Sequence, residues 1–370
     1  MNISAISIGI VAVRALRGGA SGVVRSVFER SFYVTLGETW ICVGPPGLGE
    51  GPLNLLCAPV NRFFPAQAGI QKPCALSPLG PRLRGDERKG GRLETNGMDL
   101  REGDAALVHG DVLRLGNALT IALGDAAVWR PSLPGDWSAE SLSHGLAAFD
   151  AALPAELPRE GLALLLRPPS DDTLPPVARA ASSPAKILSS LVRSVAVRSR
   201  IERENSSPPP PHTPLIPAQA GSQEPRIAPP LDDALDPRLR GDERVQKSEA
   251  LSSLQSLLGL GPGLTPSGDD FIGGAMVALT GLEMTSLRDA LWNALAPLTA
   301  THTNDISRAH LAATAEGFGS GTLHGLLEAV MVGDADAIAP CIAALAEVGH
   351  TSGWDAMAGA ITVLRAAHSA

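Results

Sequence analysis

Residues 259 to 274 read Gly-Leu-Gly-Pro-Gly-Leu-Thr-Pro-Ser-Gly-Asp-Asp-Phe-Ile-Gly-Gly. Six glycines, two prolines, two hydroxyl residues and two carboxylates stand in a turn and at the start of an apolar helix. A packed core does not need this composition, whereas a loop that lets a ligand approach the backbone does. The stretch therefore predicts a ligand-binding turn followed by a helix.

The spacing from Gly263 to Gly268 matches the glycine frame of a phosphate-binding P-loop, but Asp269 and Asp270 stand where Lys and Ser/Thr should follow. Two carboxylates repel a bare phosphate and would tolerate one only through a bridging Mg²⁺, so a nucleotide P-loop is excluded. The alternative is a well-capped helix, with Thr265 as N-cap or with a capping box that runs from Ser267 to Asp270. Capping does not explain the upstream glycines.

Part of this motif recurs 85 residues later in the same register, as Ser352, Gly353, Asp355, Gly359, Ala360 and Leu364. Two helices therefore open with Ser-Gly-x-Asp and continue with a Gly-Ala step that lets helix backbones approach closely. Side by side, their N-termini would direct free N–H groups and two positive dipole ends at one point, which favours an anion. The alternative is two helices of one bundle that share a capping habit.

A third segment, residues 301–307, has similar chemistry and precedes another helix. Its hydroxyl groups are free to bind a ligand, and His350 lies just before the second Ser-Gly-x-Asp turn. Asp269, Asp270 and His350 are the catalytic candidates. The candidate binding residues are Gly261, Gly263, Thr265, Ser267, Gly268, Thr301, Thr303, Ser307, Ser352, Gly353 and Asp355. No metal ligand is assigned, although Mg²⁺ is a possible cofactor.

Composition limits the class of protein. The chain has 370 residues, 44% of them hydrophobic, and a net charge of -8, which argues against a nucleic-acid surface. The cysteines have no metal-binding spacing, and the N-terminus lacks a charged region of the kind that opens a secretory signal. The longest apolar run, residues 271–282, is too short to span a bilayer. We expect a soluble, cytoplasmic protein.

Two copies of a repeat interrupt the chain. The Pro-Ala-Gln-Ala-Gly peptide at 65–69 recurs at 217–221, and the Pro-Arg-Leu-Arg-Gly-Asp-Glu-Arg peptide at 81–88 recurs at 237–244. They resemble translated bacterial intergenic repeats, and a pair of Arg-rich binding loops is the alternative. We expect both segments to be surface-exposed, flexible and dispensable.

The remaining pattern predicts an α+β protein, with a small N-terminal antiparallel β domain followed by a mostly α-helical C-terminal domain. The β-rich domain spans 1–135 with a repeat-derived insertion at about 65–90, and the helical domain spans 136–204 and 248–370 around a disordered, Pro-rich insertion at 205–247. Predicted strands lie at 32–36, 40–43, 105–108 and 119–123. Predicted helices cover 138–152, 174–202, 248–258, 268–283, 286–297, 304–316, 322–332, 334–347 and 352–367.

The glycine-rich motif, the Thr-rich turn with Ser307 and the Gly-His-Thr-Ser-Gly peptide at 349–353 together resemble a bacterial family that includes the AllH-type subunit of oxamate carbamoyltransferase. Segments 25–29, 51–54, 100–104 and 127–131 fall in the order that this family shows. The resemblance covers most of the chain outside the two repeats.

This resemblance implies a role in anaerobic allantoin breakdown, in an assembly with FdrA-like and AllG-like subunits that interconverts oxalurate plus phosphate and oxamate plus carbamoyl phosphate. Backbone amides around 261–268 and 352–353 would hold phosphate or carboxylate, and Thr265, Ser267 and Ser352 would add hydroxyl hydrogen bonds. Asp269 or Asp270 would orient the attacking group or bind Mg²⁺. The alternative function is a non-catalytic, anion-binding or scaffold subunit of a larger complex.

Overall fold

The computed structural model describes residues 1–17, 19–28, 31–58, 100–132, 134–167, 173–205 and 250–370. Almost all of both predicted insertions, and with them the prediction that they are flexible and dispensable, lies outside these residues. The domain boundaries stay predictions.

The N-terminal part is a β-barrel. Its strands are β1 (Asn2–Gly9), β2 (Ser21–Val27), β3 (Phe32–Leu36), β4 (Thr39–Gly44), β5 (Asn54–Cys57), β6 (Ala105–His109), β7 (Val112–Leu115), β8 (Leu119–Ala122) and β9 (Ala127–Trp129). The strand order is β5-β4-β3-β2-β6-β7-β8-β1, and β1 pairs with β5 to close the barrel. Strand β9 pairs with the last residues of β1.

The predicted antiparallel domain is wrong, because the sheet is mixed and closed. Strand β1 runs parallel to β8 and β9, and β4 runs parallel to β5. The cause is the N-terminal segment, to which the sequence analysis assigned no strand. It enters the sheet between β5 and β8 and removes both free edges of what would otherwise be an open sheet.

Side-chain alternation fills the barrel. Along β6 every second residue is buried, and Val34, Leu113, Leu115 and Ile121 are fully enclosed. This is the period-2 pattern of strands with one face towards a core. A short helix, α1 (Ile10–Leu16), follows β1 and packs its buried residues on the same apolar cluster.

The rest of the described chain is helical. Its helices are α2 (Ala139–Ala152), α3 (Pro176–Asn205), α4 (Ser267–Gly281), α5 (Thr285–His302), α6 (Asp305–Ala315), α7 (Gly321–Val332), α8 (Ala335–Ala346) and α9 (Ser352–His368). Short 3₁₀ turns occur at Pro46–Leu48, Ala163–Leu166 and Gln255–Leu257.

Helices α4 and α9 form the centre of the helical part and share the most extensive helix–helix contact. Both helices are buried along nearly their whole length, and many of their buried residues are small, such as Ala275, Ala278, Ala358 and Ala360. A helix that is buried all round belongs in a core rather than on a surface. Among the described residues, no helix combines the length and the apolar character needed to cross a membrane.

Candidate functional site

Helix α4 begins at Ser267, directly after Pro266, and no side chain caps it. The predicted N-cap at Thr265 and the predicted capping box are therefore wrong. The preceding loop supplies acceptors instead, because the amide of Gly268 donates to the carbonyl of Leu260 at 2.8 Å. A Cβ on Gly268 would lie 1.9 Å from the carbonyl oxygen of Leu257, so only glycine fits there.

The glycine-rich loop has a left-handed backbone at Gly259, Gly261 and Gly263, with φ of 69°, 102° and 112°. Glycine adopts this conformation at little steric cost. Gly259 also passes so close to the end of α5 that a Cβ would meet the carbonyl oxygen of His302 at 2.0 Å. Contacts within the protein thus account for Gly259. Gly263 is exposed, and no side chain approaches it.

Helix α9 begins in the same way as α4. It also lacks a side-chain cap, and the amide of Gly353 donates to the carbonyl of Val348 at 3.0 Å. A Cβ on Gly353 would lie 1.7 Å from the carbonyl oxygen of Leu345. The acceptor lies five residues before Gly353 but eight before Gly268 (353 − 348 against 268 − 260). The loop before α4 is therefore the same turn with three more residues.

The two helices cross with local two-fold symmetry. A Cβ on Gly274 would lie 1.9 Å from the carbonyl oxygen of Ala356, and a Cβ on Gly359 would lie 1.9 Å from that of Phe271. The 85-residue offset found in the sequence relates these two contacts, because it converts Gly274 into Gly359 and Phe271 into Ala356. The helix starts meet as well, since the hydroxyl oxygens of Thr265 and Ser352 are 2.8 Å apart.

Asp269 is a buried carboxylate that ties three segments together. Its Oδ1 accepts the amide of Gly259 at 2.8 Å, and its Oδ2 accepts the hydroxyls of Ser307, at 2.6 Å, and of Thr303. Its side chain is 2% exposed. Three donors hold this carboxylate in place, so its evident task is to fix the glycine-rich loop against the start of α6.

Asp270 has a different environment. The residue is partly exposed, but its Oδ2 is inaccessible to solvent and has no hydrogen-bond partner within the described chain. Burial raises the pKa of this carboxyl well above its usual range, and the nearby Asp355 raises it further, while hydrogen bonding from Ser352 and Thr265 opposes the rise. A carboxyl group of this kind can carry a proton near neutral pH.

Asp355 occupies the equivalent position on α9 and is fully buried. Its Oδ1 accepts the amide of Leu162 at 2.5 Å, whereas its Oδ2 has no partner within the described chain. Burial raises the pKa of Asp355, and the amide of Leu162 and the hydroxyls of Thr351 and Ser267 act in the opposite direction. Each helix start thus places a hydroxyl beside the carboxyl group of the other.

The other candidates lie at varied distances from this junction. Thr303 and Ser307 bind Asp269, as described above, whereas the hydroxyl of Thr301 donates to the carbonyl of Leu298 at the exposed end of α5. The ring of His350 is exposed and pairs with the exposed Glu160. The structure therefore brings the two helix starts and residues 303–307 together, and it places Thr301 and His350 at the surface.

The contact from residues 161–162 to Asp355 is absent from the sequence predictions. A Cβ on Gly161 would lie 2.4 Å from Asp355 Oδ1, so this glycine allows the backbone to reach the carboxylate. The only signal in the sequence is an isolated glycine, which gives no direction towards α9.

Within the described chain, no group of three or more His, Cys, Asp or Glu side chains is arranged to hold a metal ion. Three protein donors already occupy Asp269, and no further His, Cys, Asp or Glu side chain joins Asp270 and Asp355 as a possible ligand within the described chain. The residues therefore do not form a fitting Mg²⁺ site, and no step is derived through that ion.

Together, these features define a protein in which a β-barrel is followed by a helical part with a duplicated, uncapped helix start, where carboxyl groups and hydroxyls meet a glycine-rich loop. The family model described as oxamate carbamoyltransferase subunit AllH matches residues 257–364. This range contains the loop and both helix starts, and over it the chain is similar to the AllH family. No curated protein and no solved structure matches the chain.

Proposed function

We propose that this chain is a subunit of an enzyme that interconverts oxalurate plus phosphate and oxamate plus carbamoyl phosphate in allantoin breakdown. The family description, that of an oxamate carbamoyltransferase subunit, supports the reaction class. The matched range contains both helix starts and no residue of the barrel, which supports our assignment of the proposed chemistry to the helix starts.

The pair formed by Asp270 and Asp355 carries the proposal. In the direction of oxalurate breakdown, a phosphate oxygen attacks the ureido carbon and the bond from that carbon to the oxamate nitrogen breaks. The attacking phosphate loses a proton, and the leaving nitrogen gains one. This balance requires a group that exchanges protons near neutral pH. Burial raises the pKa of Asp270 well above its usual range and so shifts this carboxyl group towards that requirement.

An anion binds more easily when Asp270 is protonated than when Asp269 and Asp270 are both ionised. Asp270 in its neutral form does not repel phosphate, and three donors compensate the charge of Asp269. Among the described residues, the amides of Gly261, Gly263 and Ser267 donate to no protein acceptor. They are the groups we assign to the anion, whereas the amides of Gly268 and Gly353 are already used.

Thr265 and Ser352 add the hydroxyl groups of the proposed site, because they contact each other and both hydrogen-bond to Asp270. Asp269 keeps a positioning role. We assign no chemical step to His350, since its ring lies at the surface with Glu160. FdrA-like and AllG-like subunits are the proposed partners, and they would supply further groups for the substrate.

The test is turnover of the assembled complex, measured as phosphate-dependent release of oxamate from oxalurate. Asp270→Asn should reduce turnover by about 100-fold or more, because the proton carrier is lost. Asp289→Asn, an exposed aspartate on α5 that pairs with Arg288, is the matched control and should leave turnover unchanged. Wild-type turnover in Asp270→Asn would refute the role of this carboxyl group.

A second candidate is a non-catalytic scaffold subunit that positions its partners. The exposure of Leu264 favours it, since this leucine at the tip of the glycine-rich loop is 50% exposed and could contact another subunit. Turnover by the purified chain alone would exclude the scaffold role. Turnover of the complex that requires this chain but persists in Asp270→Asn would support it.

A further inference from the structure

A polar cavity of about 480 Å³ lies between the barrel and the helical part. Strands β2, β3 and β4 form one wall, and the first turn of α6 forms the other. Its size is within the range of small-molecule sites, and such sites are common where two structural units meet. None of the residues 257–281 or 349–355, which build the site described above, lines it.

Arg25 is placed in this cavity by a β-bulge. Strand β2 pairs Val24 with Val34 and Ser26 with Tyr33, so Arg25 is the extra residue without a partner on β3. Bulges redirect a side chain and are common beside functional sites. The buried hydroxyl of Thr35 accepts the Nε–H of Arg25 at 3.0 Å. The two terminal nitrogens of the guanidinium have no partner among the described residues, so they can bind a ligand.

Arg308 enters the cavity from the opposite wall. It is in the first turn of α6 and forms an exposed ion pair with Asp305 at 2.9 Å, which uses one terminal nitrogen. Two guanidinium groups from separate parts of the chain therefore line one cavity. Arginine is the side chain best suited to hold a carboxylate, because its planar fork can form two parallel hydrogen bonds.

The cavity also contains hydrogen-bond acceptors. Glu38, in the tight turn between β3 and β4, and Asp305 line it together with the arginines, so the four charges sum to zero. A simple polyanion would meet two carboxylates there. A ligand that offers one carboxylate and also N–H donors would satisfy both kinds of group. Trp40, opposite Thr35 in the β3–β4 pair, adds a flat wall.

We propose that this cavity binds a small carboxylate that also carries amide or ureido N–H groups, with Arg25 and Arg308 holding the carboxylate and Glu38 accepting an N–H. The proposal deepens the proposed function and rests on it for the identity of the ligand, because oxamate and oxalurate both have this chemistry. Arg308 directly follows Ser307, which binds Asp269, so the cavity adjoins the paired helix starts through one turn of α6.

The experiment is calorimetric titration of the purified full-length chain with oxamate and with oxalate. The two probes have the same shape and differ in one position, where oxamate has an amide and oxalate a second carboxylate. We expect oxamate to bind more tightly than oxalate. Arg25→Gln and Arg308→Gln should each weaken oxamate binding by tenfold or more, because a charge-assisted pair is lost. Glu38→Gln should reduce the preference for oxamate over oxalate.

Arg114→Gln is the matched control, since Arg114 is exposed on β7, outside the cavity, and the net charge changes equally. It should bind oxamate as the wild type does. Unchanged binding in both cavity variants, or oxalate binding as tight as oxamate binding, would overturn the proposal. If Arg25→Gln does not fold, Arg25→Lys replaces it, since lysine keeps the charge but loses the fork.

Titration and turnover separate the two hypotheses. Loss of oxamate binding in the arginine variants supports the cavity even when the assembled complex shows no carbamoyl transfer, which would refute the proposed function alone. The opposite result refutes only the proposal for the cavity. In that case the complex turns over substrate, but the isolated chain binds oxamate equally well with and without Arg25 and Arg308.

Discussion

The crossing of α4 and α9 leads to a quantitative prediction. A Cβ added to Gly274 or to Gly359 would lie 1.9 Å from a backbone carbonyl oxygen of the other helix. Ordinary carbon–oxygen contacts begin at about 3.3 Å, so the helices would have to separate by roughly 1.4 Å. Overpacking a core costs about 1–3 kcal/mol, and a rigid backbone neighbour argues for the upper end. Alanine regains about 0.5–1 kcal/mol in helix propensity.

The difference between these two terms leads us to expect that Gly274→Ala and Gly359→Ala each lower the free energy of unfolding by about 2 kcal/mol, measured by urea denaturation. The control is Gly325→Ala in α7, where the new Cβ would meet only Cys341 Sγ at an ordinary 3.8 Å. It should be neutral or stabilising, by up to about 1 kcal/mol.

The double variant Gly274→Ala, Gly359→Ala tests the symmetry itself. Both substitutions force the same two helices apart, so the second should cost less than the first, and the sum of the single effects should exceed the combined effect by about 1 kcal/mol. Strict additivity would refute a shared separation of the helices. Stability changes below 0.5 kcal/mol in both single variants would refute the close approach.

Three further predictions concern buried polar groups. Because folding raises the pKa of Asp270, the free energy of unfolding of the wild type should fall as the pH rises from about 4 towards the raised pKa. Asp270→Asn should flatten this dependence in urea titrations from pH 5 to 8. Parallel curves for the variant and the wild type would contradict this prediction. Asp269→Ala removes the acceptor of three donors and should cost about 2–4 kcal/mol, against no more than 1 for the exposed Asp289→Ala. Burial lowers the pKa of His324 to about 4, so the neutral imidazole should contribute fully to stability above about pH 6.5. This contribution, at most roughly 3 kcal/mol, should be lost as the pH falls towards 4. His324→Gln should reduce the acid sensitivity of the protein, and an unchanged pH profile of stability would count against this prediction.

Secondary structure follows from the sequence where its pattern lies within a short segment or recurs along the chain. Strands at 32–36 and 119–123 follow from alternation and turn residues, and they coincide with β3 and with β8 and the residue after it. The closure of the barrel could not be predicted in this way, because it depends on pairing between residues such as Ala5 and Cys57, which are far apart in the chain. Such pairs have no local periodicity.

The same distinction applies to the candidate site. The 85-residue recurrence located both helix starts and the Gly-Ala step, and in the structure Thr265 and Ser352 are in contact. The capping role failed because carbonyls of the preceding turns already occupy the amides that a cap would bind. The sequence does not distinguish Asp269 from Asp270, because only the fold shows that three donors surround Asp269 and that Oδ2 of Asp270 has no partner among the described residues.

The duplicated helix start gives the glycine-rich loop a clearer meaning. Both copies pack a Ser-Gly step against a carbonyl, and both carry an aspartate whose Oδ2 is inaccessible to solvent and unpartnered within the described chain, so these features belong to packing as much as to chemistry. Only the first copy has three additional residues before its helix, and the free amides of Gly261 and Gly263 lie in that longer turn. If the shared features served ligand binding alone, the two copies would be equivalent. The difference between them therefore favours the longer loop as the part that binds the proposed anion. Shortening this loop to the length found before α9 should preserve the helix crossing and remove anion binding.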